Sequence, residues 1–169
     1  KQAEIHMNSY LEKLTHLISN CAMDNTYKMS WARAITEHLV TNTKDQFIHF
    51  DDLSPLIFKY YWNQIIFFNL NQSPNPNKPP VICQLVKDEI NKQTSSKPVL
   101  FTRVENQIEI PVKEISDALS KDVSHRFLKL GSESFEIYDL DKKDRTLSIL
   151  EPEVFRKYSD ILFELINYR

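Results

Sequence analysis

Glycine is almost missing from this chain: Gly131 is the single one among 169 residues. Phosphate cradles built on a glycine-rich loop at a helix start are therefore excluded by composition, and with them nucleotide hydrolysis of the P-loop kind. Cysteine is nearly as scarce. Cys21 and Cys83 form no CxxC pair and have no histidine pair nearby, so neither a disulfide framework nor a zinc site is indicated, and a reducing cytoplasm is the expected location. No apolar run approaches the roughly 20 residues that a membrane helix needs, so a soluble protein without a membrane partner is expected.

Catalytic constellations are also lacking. His16, His38, His49 and His125 lie far apart, none in an HxxxH or HExxH pattern, and are expected to be surface or satisfied core histidines. No serine stands in a nucleophile elbow. Asp141-Lys142-Lys143 has the D-x-K letters of a PD-(D/E)xK nuclease, but it falls at an expected hairpin tip, where an exposed turn would hold no metal rigidly. The segment is expected to carry no catalytic residue, no metal and no cofactor of its own.

What is present is a folding composition, 41% hydrophobic and 11% aromatic, at a length suited to one core. Lys1 to His6 reads as an expression-tag remnant ahead of a native start at Met7, which leaves residues 7–169 as a single domain. The closing "PEVFRKYSDILFELINYR" is an amphipathic helix that reaches Arg169 with no glycine, proline or polar stop, as a truncation ahead of a further domain would leave it.

Helical spacing and caps organise the first half. Ser9 with Glu12 matches a capping box for a helix from Tyr10 to Ala22, and Met29, Trp31, Ala34, Ile35, Leu39 and Val40 mark a second helix. "FIHF" alternates like a strand, and Asp51 is placed to cap a third helix through "LSPLIFKYYWNQIIFF", with Pro55 in its first turn. Apolar almost all round, that helix is expected to be the most buried, with Phe58, Tyr60, Tyr61, Trp62, Phe67 and Phe68 as the spine of the core.

Pro79 and Pro80 open a fourth helix running to Lys92. Beyond it "VLFTRV" and "QIEIPV" read as extended and "VKEISDALSK" as a short helix. "HRFLKL", "SFEIYDLD" and "RTLSILE" read as strands with a tip at Asp141 to Asp144, and Pro152 opens the last helix. The expected fold class is α+β, a mainly helical domain with a small antiparallel sheet or hairpin, similar to winged-helix architectures.

Net charge is −2, which argues against a coat of basic charge, although Lys78, Lys87, Lys92, Lys97 and Arg103 face only Asp88 and Glu89 in one segment. Two stretches suit nucleic acid. "NTYKMSWARA" brings Tyr27, Lys28 and Arg33 to a helix start, where free amides and the positive dipole end receive phosphates. Trp31 is expected in the core; for Tyr27 and Lys28 phosphate contact and ordinary packing both stand.

The second stretch runs from Tyr61 through the loop "NLNQSPNPNKPP". Asn63, Gln64, Asn69, Asn71, Gln72, Asn75 and Asn77 carry amides able to read base edges, with Lys78 for a phosphate and prolines that reduce the ordering cost of binding. The ordinary alternative is a polar turn whose asparagines bond their own backbone.

At "YKMSWARAITEHL", "FDDLSPLIFKYYWNQIIFFNLNQSPNPNKPP" and "ILFELINYR" the chain resembles the N-terminal recognition region of bacterial restriction-type HNH endonucleases, over nearly all of residues 8–169. The resemblance implies a DNA-binding specificity domain for double-stranded DNA, reading modified DNA in one form. It also implies a C-terminal nuclease, and hence a divalent metal, only in the parent protein, which would supply any homodimer. No HNH motif occurs here, so no catalytic residue carries over. Lys28, Lys78, Arg33 and Arg103 are the expected phosphate contacts, and the Tyr61 to Lys78 region the expected base contacts. The competing expectation is a protein-interaction or dimerisation module.

Overall fold

A computed structural model describes residues 1–22, 27–68, 80–93, 97 and 99–169. Helices α1 (Gln2–Asn20) and α2 (Tyr27–Thr41) are followed by β1 (Phe47–His49), the long α3 (Phe50–Phe68) and α4 (Val81–Lys92). Then come the single-turn α5 (Phe101–Val104), a 3-10 turn at Glu105–Gln107 and α6 (Val112–Asp122). A second 3-10 turn at Arg126–Leu128 leads into β2 (Lys129–Leu130), β3 (Glu133–Ser134), β4 (Tyr138–Asp141) and β5 (Thr146–Ile149), and α7 (Pro152–Lys157) and α8 (Ser159–Tyr168) close the chain. The fold is α+β and mainly helical, as expected.

The three-stranded sheet has the order β1-β5-β4, all antiparallel. The lone early strand thus adds to the later hairpin, with Ile48 opposite Leu147 and Leu140 opposite Leu147 on its other side. Strands β2 and β3 form a separate small ribbon whose two-residue loop contains Gly131 at φ +62°. That left-handed conformation is what the chain's one glycine supplies, since nothing would crowd a Cβ there.

The centre of the core is α2 rather than α3. Ten of the fifteen α2 residues are buried, against nine of nineteen in α3. Small side chains explain this: Ser30, Ala32, Ala34 and Thr36 let neighbours approach from both sides, and α2 packs against α3, α7 and α8. Thr36 stays satisfied in this setting by donating to the Ala32 carbonyl at 2.8 Å. At the end of α3 Phe67 and Phe68 lie 62% and 69% exposed, so the aromatic spine stops at Trp62 and the buried face at Ile65.

Several local expectations are corrected. The first helix begins at Gln2, placing Ser9 in its interior, so the Ser9/Glu12 capping box does not form. Asp51 does not cap α3. Its backbone N–H donates to His49 Nδ1 at 3.0 Å, and its carboxylate accepts from Ser116 Oγ at 2.7 Å, tying α3 to α6. Pro55 consequently falls in the second turn of α3. "VLFTRV" is not extended: Phe101 packs edge-on against Phe58 and Trp62 with centroids 5.8 Å away, and a helical turn brings Val104 to the same side. The last helix is broken at Tyr158 into α7 and α8.

Arg156 holds the end of α2. Its Nε donates to the Leu39 carbonyl at 2.8 Å and its terminal nitrogen to the carbonyls of Asn42 at 2.9 Å and Asp45 at 2.5 Å, while Glu153 pairs with the same guanidinium. The last carbonyls of a helix lack intrahelical partners, and this side chain satisfies one of them, on Leu39, together with two carbonyls of the turn that follows, across about a hundred residues of sequence. Arg156→Ala is expected to lower stability by about 2 kcal/mol, because three charge-assisted bonds to backbone are lost and the partly buried Leu39 carbonyl is stranded. Urea unfolding checks this; a loss near ~0.5 kcal/mol, the scale of ordinary surface substitutions, would make the contact incidental.

Candidate nucleic-acid interface

The predicted contact residues separate into three groups. Tyr27 and Tyr61 are enclosed, their rings edge-on at 5.9 Å. Tyr27's hydroxyl accepts the Ile82 N–H at 2.9 Å, which serves one of the amides a helix start leaves without a partner, here in α4. Burial raises its ionisation well above the ordinary tyrosine range. Both rings are architecture, closed to a base. Asn69, Asn71, Gln72, Asn75, Asn77 and Lys78 lie outside the described residues. Lys28, Arg33, Asn63, Gln64 and Arg103 remain.

Lys28 lines a groove of about 330 Å³ together with Asn20, Arg126, Lys129, Leu130 and Gly131. The three cations come from α2, the second 3-10 turn and β2. Among the described residues no carboxylate lines the groove, and none of the three cations enters an ion pair. Arg126 and Lys129 were not foreseen. Read as a strand, "HRFLKL" puts residues 126 and 129 on opposite faces; the 3-10 turn has three residues per turn and brings i and i+3 together.

His125 adjoins this charge. Its Nδ1 is buried without a hydrogen-bond partner among the described residues, unlike His38, which bonds Asp45 at 3.1 Å, and His49. Desolvation first, and then Lys142, Arg126 and Lys129, hold it below the ordinary histidine range, with Asp122 opposing them. Folded His125 thus binds its proton less readily than the unfolded chain does. Its contribution to stability is present above about pH 6.5 and is lost as pH falls towards the lowered value. His125→Gln should flatten the fall in urea midpoint between about pH 7 and pH 5.5 relative to the parent chain; an unchanged profile would exclude this group as the cause.

Arg33 sits on a different side of α2, five positions and about 140° beyond Lys28. It does not join the helix-start charge. Its guanidinium lies 4.4 Å from the Tyr60 ring centroid, and Tyr60's hydroxyl donates to Glu37. These three residues, with Asn63, Gln64, Lys59 and the exposed Phe67 and Phe68, line a cleft of about 250 Å³ between α2 and α3. Asn63 is partly committed, since its Oδ1 accepts the Phe101 N–H at 3.3 Å. Arg103, exposed on α5, lines neither the groove nor the cleft.

Other chemistry is thin. Cys21 and Cys83 are free and buried, and desolvation pushes the Cys83 thiol up to about 12. Among the described residues no group of three or more His, Cys, Asp or Glu is placed to hold a metal ion, and no helix is long and apolar enough to cross a membrane. At the hairpin tip the Asp141 carboxylate accepts the Asp144 N–H at 2.9 Å, capping the turn. No protein-family model, curated protein or solved structure matches this chain.

Proposed function

We propose that this domain binds double-stranded DNA, with the groove of Lys28, Arg126 and Lys129 as its phosphate-contacting surface. The observation that carries the reading is the convergence of three cations from distant segments around one groove, with no ion pair to any of them and no lining carboxylate among the described residues, in a chain whose net charge is −2. A cation that makes no protein ion pair keeps its field for a phosphate, and phosphate contacts supply most sequence-independent affinity. Lys142, whose charge registers at His125, extends the positive field toward the β4–β5 hairpin. The addition of β1 to that hairpin is similar to winged-helix modules, a fold-level analogy only.

In its fuller form the reading makes the domain the specificity module of a restriction-type HNH endonuclease in bacterial defence, acting in the cytoplasm. Hydrolysis and any divalent metal would belong to another segment of the parent protein. Modified DNA is then the natural target to compare with plain duplex. Fluorescence anisotropy with plain, methylated and phosphorothioated duplexes across a salt series tests it. Binding at micromolar concentration in low salt, weakening steeply as salt rises, is the expected result. No binding below about 10 μM at low salt would overturn the reading and return the domain to a protein-interaction role.

A further inference from the structure

We propose that the α2–α3 cleft is a second binding site, which takes one unstacked nucleotide. It lies on a different side of α2 from the groove, so it does not rest on duplex contact there. Four features meet in it. The first is an arginine held in place and left unspent: Arg33 is fixed over the Tyr60 face at 4.4 Å, yet makes no hydrogen bond or ion pair among the described residues. Stacking pre-orients its planar fork, the geometry that recognises a phosphate or a base edge bidentately.

The second feature is the pair of exposed rings. Phe67 and Phe68 stand 6.4 Å apart at the mouth of the cleft, 62% and 69% exposed, and aromatic faces open to solvent are what unstacked bases stack upon. Third, polar groups for a base edge line the wall between rings and arginine. Among the described residues Asn63 spends its oxygen on the Phe101 N–H and keeps its amide donors, and one Glu37 oxygen accepts from Tyr60, leaving the other to receive an exocyclic amine.

The fourth is charge and size. Two cations, Arg33 and Lys59, stand against the Glu37 carboxylate, a surplus of one positive charge that matches one phosphodiester. About 250 Å³ lies below the roughly 300–1,000 Å³ of pockets for larger ligands, which suits one planar ring system. A free nucleotide and one turned out of a strand share this chemistry.

The test titrates the whole chain into 2-aminopurine deoxynucleoside monophosphate, and separately into a duplex carrying one 2-aminopurine. Saturable quenching of the free nucleotide, weakened about tenfold by Arg33→Met and by Phe68→Ala and unaltered by Lys129→Gln, is expected. A fluorescence change in the duplex with the same dependence would identify an extruded base as a ligand too, and quenching in the free nucleotide alone would restrict the site to mononucleotides. Lys59→Gln, at a half-buried position without an ion pair among the described residues, provides a variant that keeps the fold if Arg33→Met does not. The proposal is overturned if neither probe responds below about 1 mM, the affinity scale of a few kcal/mol, or if the response ignores the Arg33, Lys59 and Phe68 changes. Duplex binding by anisotropy with silent 2-aminopurine would leave the groove reading standing and remove this one.

Discussion

Replacing Tyr138 with phenylalanine should cost this domain about 3 kcal/mol of stability, although only one oxygen is removed. That oxygen accepts the Trp31 indole N–H at 3.0 Å and donates to the Ser124 carbonyl, and all three groups are buried. Burial also raises the phenol's ionisation well above the usual tyrosine range, so it remains a donor at any working pH. Phenylalanine would fill the same space against Phe127, stacked at 6.4 Å, but would strand one donor and one acceptor, each at a cost of roughly 1–3 kcal/mol. The urea midpoint should fall with an unchanged slope. Trp31→Phe combined with Tyr138→Phe provides the control: with both partners of the first bond gone, the double variant should lose at least ~0.5 kcal/mol less than the sum of the singles. A loss below about 1 kcal/mol for Tyr138→Phe would show that water replaces the hydroxyl.

That bond joins the most central helix to the sheet, and neither its existence nor the centrality of α2 was legible in sequence. Periodicity marked α2, α4 and α6 well, because each has a one-sided apolar pattern or a proline at its start. It ranked α3 as the more buried helix because hydropathy favours Phe, Tyr and Ile, whereas close packing around α2 depends on alanine, serine and threonine. The α5 segment reads as extended for a related reason. Valine, leucine and phenylalanine favour extended chain in isolation, and only the aromatic wall of Phe58 and Trp62 makes a helical turn the better way to bury Phe101 and Val104. The binding surface divides similarly. Lys28 could be singled out from its helix start, but Arg126 and Lys129 lie about a hundred residues further on and become its neighbours only through the packing of the β2–β3 ribbon beside α1. The amides Asn63 and Gln64 are found by residue type, and Arg33, grouped with Lys28 by its nearness in sequence, lies about 140° around the helix from it.

Lys28→Gln, Arg126→Gln and Lys129→Gln together should remove most of the salt dependence that the groove contributes to DNA binding. Each cation that neutralises a phosphate releases about 0.9 counterion, so three together steepen the dependence of log affinity on log salt by about 2.7. Between 50 and 200 mM salt this amounts to roughly 40-fold in affinity, a change the parent domain should show and the triple variant should lack. The substitutions remove no ion pair among the described residues, and Arg126 and Lys129 are exposed, so the urea midpoint should hardly move. Single variants should each flatten the slope by about 0.9 and weaken plain and modified duplexes alike, because phosphate contacts position a duplex without reading its sequence. A triple variant with the parent's slope would place the duplex elsewhere on the domain. A variant whose loss was confined to modified duplex would instead assign base reading, rather than phosphate contact, to these cations.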